Sequence, residues 1–291
     1  MAMFDYEFMQ RAFWAGGLIA VIGPILGVYL MLRRQVLMAD TLSHVSLAGV
    51  ALGTFFGINP TLTGFLVAIL AGLVIEQMRR TYRTYSEVPV AIMMTSGLAF
   101  AVVFMSLKQN SSRSFSSYLF GSIVAVSTTQ LILIACVTVI GLIYFSVLRR
   151  PLYSLTFDEE TAQISGIKVR MLSFSFAILT GMTVSAAMPI VGVLLVSSLM
   201  VLPAALALRI ASGFTATVLI AIALGMVGMF GGLTTSYYID TPPGGTIALI
   251  LLAFLLIGIA VQKLVNRLRR KNNIPLREPS RSHEYTKDNR R

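Results

Sequence analysis

Charge is what this chain has least of. Only 12% of its 291 residues are Asp, Glu, Lys or Arg, against 56% hydrophobic ones, and the mean hydropathy is +0.81. A water-soluble domain carries about 25% charged residues, so a soluble globular fold is excluded. Cysteine is almost absent too. The single Cys136 excludes an internal disulfide and any Cys-x-x-Cys ligand pair; within its apolar run it reads as a small buried hydrophobe. There are two histidines, His44 and His283, and only His44 lies in an apolar run. No Gly-x-x-x-x-Gly-Lys-Ser/Thr, His-Glu-x-x-His or Gly-x-Ser-x-Gly sequence occurs. These absences exclude P-loop nucleotide binding and the corresponding hydrolase signatures, so the chain reads as a non-enzyme. The segment before the first apolar run carries Asp5, Glu7 and Arg11 rather than a basic n-region, so no cleavable signal is expected there.

What the chain has is a series of long apolar runs, reaching from near the N-terminus to residue 262. Continuous runs, rather than short alternating ones, mark an all-α polytopic membrane bundle and not a β-barrel. About nine spans are expected, eight to nine by count. They run near Phe13–Leu32, Val36–Phe56, Thr61–Met78, Pro89–Leu107, Leu131–Leu148, Met171–Met188, Ile190–Leu208, Phe214–Leu233 and Thr246–Gln262. The sixth and seventh are separated only near Pro189. The apolar piece Leu119–Val126 is too short to span and reads as re-entrant or interfacial. Residues 1–271 form one membrane domain. Residues 272–291 form a basic, flexible tail.

The positive charge is uneven. Residues 263–291 hold ten Lys/Arg against Glu278, Glu284 and Asp288. A basic tail after a last span reads as an anchor to anionic membrane lipid rather than a nucleic-acid site. Arg33-Arg34, Arg79-Arg80-Arg83, Arg149-Arg150, Lys168-Arg170, Arg209 and the tail fall on one side of a nine-span chain. The positive-inside rule makes that side cytoplasmic, with the N-terminus outside and Lys108 and Arg113 as exceptions. Gly228-x-x-x-Gly232 in the eighth span is a close-packing pattern, equally compatible with a dimer and with packing inside one subunit.

The most informative residues are Asp40 and His44, one helical turn apart in the second span. An aspartate and a histidine are costly at membrane depth. The i, i+4 spacing puts both on one helix face. Counted from Arg34, Asp40 stands ~9 Å and His44 ~15 Å along the helix, the latter near the centre of a ~30 Å core. A carboxylate and an imidazole converging there form half of a divalent-metal site. The alternative is a buried hydrogen-bonded pair that fixes helix packing. Thr41, Ser43 and Ser46 add hydroxyls nearby, and Asp240 in an outer loop is an entry ligand or simply a turn residue. Glu76, three and four positions before Arg79 and Arg80, reads as a surface ion pair. Glu87 reads as a helix-start charge. The polar run Phe157-Asp-Glu-Glu-Thr-Ala-Gln-Ile-Ser-Gly166 reads as a short helix, with acids at its start and glycine at its stop. It is either a docking knob for a soluble partner or a plain connector.

Leu37-Met-Ala-Asp-Thr-Leu-Ser-His-Val-Ser-Leu-Ala-Gly-Val-Ala-Leu-Gly53 closely resembles the signature of the zinc/manganese class of ABC importer permeases. Phe157 to Ile167 resembles that family's ATPase-coupling segment, and Val191-Gly-Val-Leu-Leu-Val-Ser-Ser-Leu-Met-Val-Leu-Pro-Ala-Ala205 its later helix pair. The resemblance implies a bacterial plasma-membrane permease that works as a homodimer with a separate ATP-binding ATPase subunit and an extracellular metal-binding protein. It implies Asp40 and His44 as the metal pair. It implies Asp158, Glu159, Glu160, Ala162 and Gly166 as the coupling segment. The metal is cargo rather than a permanent cofactor: Zn²⁺ by the variant around Thr41 and Val45-Ser46-Leu47-Ala48, with Mn²⁺ or iron as alternatives. Two rivals stay open: a proton-coupled secondary transporter using Asp40 and His44 as a relay, and a membrane-embedded enzyme or structural subunit.

Overall fold

The computed structural model describes residues 5–82, 85, 87–107, 112–124 and 126–272. Among these, every regular element is an α-helix: α1 (Glu7–Leu32), α2 (Val36–Phe56), α3 (Pro60–Thr81), α4 (Glu87–Leu107), α5 (Ser112–Phe120), α6 (Thr128–Val147), α7 (Arg149–Phe157), α8 (Glu159–Ile164), α9 (Val169–Val191), α10 (Val196–Ile210), α11 (Phe214–Ile239) and α12 (Pro243–Asn272). Arg83, Lys108 and the basic tail from Asn273 lie outside the described residues, as does the side chain of Arg113.

Eight of these helices are long and apolar enough to cross a bilayer. The seventh expected span, by contrast, is the 15-residue α10. The helix before it does not stop at Pro189. α9 runs through that proline to Val191, and the chain breaks at Gly192, whose φ is +87°. A proline in the last turn is tolerated when the fold supplies other partners; the left-handed φ at Gly192 is what ends the helix. At ~1.5 Å per residue, α10 is ~22 Å long and begins well inside the bundle. The gap is filled by the short apolar piece expected to be re-entrant. Ser122 N–H donates to Pro189 O at 3.1 Å, Val193 N–H to Tyr118 O at 2.9 Å and Leu194 N–H to Leu119 O at 3.3 Å. Ile123 and Val126 are buried in the core. These bonds satisfy backbone groups that a broken helix would leave bare at membrane depth.

α1, α2 and α9 form the centre, with 72–78% of their apolar stretch buried, while α4, α6 and α12 bury only 17–28%. The outer helices turn side chains such as Val102, Ile143 and Leu256 outward, as lipid-facing surfaces do. Cys136 is among them. It is exposed on α6 rather than buried, because an outward face in a bilayer is as apolar as a core. The glycine pattern of α11 is used within the subunit, with Gly228 against Leu251 and Gly232 against Ile247 of α12.

Candidate functional site

α2 is short-looped at both ends. It starts at Val36 after the Arg33–Gln35 elbow and ends at Gly57, a left-handed cap with φ +72°. Asn59 then caps α3 by accepting from Thr61 and Leu62 N–H, with Pro60 at the first helical position. These signals hold α2 in register between α3 and α4. Gly97 of α4 meets Val45, and Gly64 of α3 meets Val50 and Ser46.

That register aims the polar residues. Counted from Val36, Asp40 stands ~6 Å and His44 ~12 Å along α2. Asp40 is partly exposed and faces the first turn of α10, where Ser197 Oγ donates to its Oδ1 at 2.9 Å. A cavity of about 190 Å³ opens there, lined by Asp40, Leu37, Ser197, Ser198 and Val201 among others. His44 is partly buried, and its Nδ1 is fully enclosed without a hydrogen-bond partner among the described residues. Such an orphan costs about 1–3 kcal/mol. It needs an explanation, and an ion that arrives only in transit is one.

Ser43 and Ser46 are fully buried and turn elsewhere. Ser43 donates to Val193 O at 3.1 Å and to Asp40 O at 2.7 Å. Ser46 hydrogen-bonds Ser185 Oγ at 2.9 Å and Gly64 O at 3.3 Å. They tie α2 to the α9–α10 break and to α3 and α9. Asp240 caps α11 in a left-handed conformation, φ +52°, on an exposed turn. Among the described residues, no three His, Cys, Asp or Glu side chains gather into a metal cluster. A cation at Asp40 and His44 therefore needs oxygens such as that of Ser197, water, or groups from a second chain. Ser197 had no signal of its own in the sequence; it was one hydroxyl in a run marked only by resemblance.

The second polar locus lies at the end carrying the basic clusters. Asp158 caps α8 by accepting from Glu160 and Thr161 N–H at 3.0 Å. Its bond from the Thr161 hydroxyl, with those amides, holds its carboxyl below the usual aspartate range. Ala162 is buried as the inward knob. Gly166 closes the helix at φ +81°, its N–H reaching Gln163 O while Ile167 N–H reaches Ala162 O, a Schellman stop. Ile164 is left 87% exposed. Beside α8, Glu76 accepts from Arg79 at 2.8 Å and Arg80 at 3.0 Å, and Arg80 approaches Glu159 at 3.8 Å. The expected ion pair forms, but not at the surface: Glu76 is only 3% exposed. The reason is that α3 packs its last turns against α9 and the α1–α2 elbow. There Gln35, its amide oriented toward Arg79, accepts at 2.8 Å. Arg33 donates to Ser173 Oγ at 3.0 Å and lies over the Phe176 ring; burial lowers its pKa to about 10, which leaves it charged at neutral pH. Glu87 opens α4 as expected.

A bundle of membrane helices with a polar break inside it and a polar knob at one end is the architecture of an integral membrane protein. Residues 5–262 match the model of the ABC 3 transport family. The chain belongs to that family and is a permease subunit, not an enzyme. It is 35% identical to a probable metal transport system membrane protein of Treponema pallidum, over 90% of this chain and 98% of that one. It is 32% identical to the high-affinity zinc uptake system membrane protein ZnuB of Haemophilus influenzae, over 84% and 94%. It is 28% identical to the manganese import system permease protein ScaB of Streptococcus gordonii, over 92% and 96%. Among solved structures it is similar to PsaBC from Streptococcus pneumoniae in complex with Fab, with a TM-score of 0.78 at 25% identity, over 88% and 92% of the two chains.

Proposed function

We propose that this chain is the membrane permease of an ATP-driven importer of a divalent transition-metal ion, with zinc as the cargo and manganese or iron as the alternatives. The observation that carries the reading is the enclosed Nδ1 of His44, without a partner among the described residues, one turn from a partly exposed Asp40 carboxylate on the same helix. A neutral imidazole offers one lone pair, and a carboxylate offers charge; both suit Zn²⁺. The zinc choice is supported by the relative named for zinc uptake being more similar than the one named for manganese import. Ligand type alone does not separate the metals, since selectivity follows geometry and supply.

The working unit is a homodimer, so that two Asp–His pairs and water complete the coordination. Residues 1–271 form the membrane domain and 272–291 an appended basic tail. The basic ends face the cytoplasm, with the C-terminus inside and the N-terminus outside. A separate ATPase docks on α8, where Ile164 offers an exposed apolar contact, and an extracellular binding protein delivers metal at the opposite end. ATP-driven closure of the ATPases shifts α8. Glu159 passes that shift to Arg80 of α3, which Glu76 holds, and the Ser46 bonds to α3 and α9 carry it to α2. The Asp40 and His44 geometry is then spoiled and the ion leaves.

Radiolabelled Zn²⁺ and Mn²⁺ uptake by cells lacking the chain tests this, with rescue by wild type, Asp40→Ala or His44→Ala. Zinc rescue by wild type alone supports both cargo and site. Manganese rescue instead keeps the site and moves the cargo. Rescue by both variants ends the Asp–His site. Metal uptake into proteoliposomes by the chain alone ends the ATP-driven reading.

A further inference from the structure

A basic cleft lies away from the Asp40–His44 site, at the same end of the bundle as α8. It has a volume of about 650 Å³ and sits between α7 and the start of α11. Among the described residues its polar lining is Arg149, Arg150, Tyr153, Ser154, Ser212 and Thr215, with no carboxylate. Arg149 donates to Thr215 Oγ1 at 2.8 Å. The Arg150 guanidinium has no ion pair or hydrogen bond among the described residues, and is exposed. Two cations and four hydroxyls, without a compensating acid, form a lining suited to phosphate.

The surroundings select which phosphate. The two helices whose ends carry lining residues or lead into them are apolar and outward-facing. On α6, Ile143 is 57% and Val147 73% exposed, and on α11 Leu219 is 62% exposed. Ile143 and Val147 are one turn apart, and Leu219 is one turn above Thr215, so each pair shares a helix face. Tyr153 lies beside Phe214 and Phe157, with ring centroids 5.3 Å and 4.7 Å apart, and Tyr153 is itself exposed. Aromatic rings at the headgroup level with basic residues beside them are the signature of a bilayer surface. A soluble phosphate would use only the basic floor; a lipid uses the floor and the apolar rows rising from it.

We propose that this cleft binds the headgroup phosphate of an anionic phospholipid, with its acyl chains lying along the exposed faces of α6 and α11. The proposal needs only the membrane bundle and not the identity of the transported ion. The lipid clamps α7, the helix that leads directly into α8, against the first turn of α11.

The test uses the full chain, purified in detergent and presented with equal phosphatidylglycerol and phosphatidylethanolamine, with bound lipids counted by native mass spectrometry. Wild type is expected to retain phosphatidylglycerol preferentially. Arg149→Gln/Arg150→Gln is expected to weaken that retention about thirty-fold, from two surface cations at the usual strength of each. Ser154→Glu, at an exposed position where folding is not at stake, should do the same by repulsion. Equal retention by wild type and both variants overturns the proposal. Competition by glycerol phosphate as strong as by the lipid overturns the lipid assignment in favour of a soluble phosphate. Unchanged lipid retention with lost capture of the ATPase subunit overturns it in favour of a protein-facing surface.

Discussion

Ser197 reaches Asp40 across two helices, its hydroxyl donating to Oδ1 at 2.9 Å. The contact exists because α10 begins inside the bundle. The break after Val191 delivers the first turn of α10, rather than a loop, to the level of Asp40. A hydroxyl there orients the carboxylate and offers an oxygen of its own. Ser197→Ala should therefore raise the KM for metal uptake about tenfold, as loss of one hydrogen bond to a charged group does, with expression unchanged. Uptake kinetics in cells measure it; an unaltered KM would show that Ser197 only packs.

His44 carries a different expectation. Its Nδ1 has no partner among the described residues, so His44→Ala gives up ring packing and relieves an unsatisfied polar group of comparable cost, about 1–3 kcal/mol. The variant should lose uptake while its thermal unfolding in detergent stays close to wild type. A large drop in stability would mean that the ring is held by contacts and serves the fold.

The contrast between these two residues explains what was legible. Asp40 and His44 stood out because charge is rare in an apolar run and the spacing fixed a shared face. Ser197 did not, because a serine in a membrane helix costs little wherever it points. The same logic covers the other differences. Pro189 marked a boundary, but the φ of +87° needed to end α9 fell on Gly192, three residues later. Glu76 and its two arginines were visible as a pair, but their burial depended on α9 and the α1–α2 elbow, which no local pattern encodes. Cys136 sat in an apolar run that faces outward, and hydropathy does not separate a lipid face from a core.

Burial of Glu76 gives an asymmetry between two acids that share one arginine. Glu76 bridges Arg79 and Arg80 at 3% exposure, whereas Glu159 meets Arg80 at 3.8 Å and is 57% exposed in its side chain. Glu76→Gln should cost about 2–3 kcal/mol, less than the ~3–5 kcal/mol of a fully buried pair, because both arginines keep some access to water. Glu159→Gln should cost less than about 0.5 kcal/mol. Parallel denaturation in detergent compares them. Equal losses would mean that the ionic link to α8 is as structural as the buried bridge.

The cap of α8 sets a pH expectation. Asp158 has its pKa lowered in the folded chain, first by the Thr161 hydroxyl and then by the backbone amides. A depressed carboxylate contributes stability that is present above its unfolded value, about 3.9, and lost as pH falls through the lower folded value. Amide exchange at Glu160 and Thr161, corrected for its intrinsic pH dependence, should show constant protection from about pH 5 to 8 and loosen only in strong acid. Asp158→Ala should loosen both amides at every pH, and Asp158→Asn, which keeps an acceptor, should restore them. Protection that changes near neutral pH would assign α8 to a different group.

The α9–α10 break carries the sharpest structural test, because two glycines with positive φ meet there. Gly121 has φ +77° and its missing side chain would run into Ile190 O; Gly192 has φ +87° and would run into the Gly121–Leu119 backbone. Gly166 shares the left-handed φ of +81° but has open space around it. Alanine at Gly166 therefore adds only the backbone strain of a left-handed residue, about 1 kcal/mol. Alanine at Gly121 or Gly192 adds that strain and also forces apart the Val193–Tyr118 and Ser122–Pro189 hydrogen bonds. Because Ser43 donates to Val193 O, the damage should reach α2. Gly121→Ala is expected to lower uptake as well as stability, whereas Gly166→Ala should leave the unfolding of the membrane core unchanged. If Gly121→Ala unfolds at the same temperature as Gly166→Ala, the paired break is not what sets the depth of α10, and the placement of Ser197 beside Asp40 needs another cause.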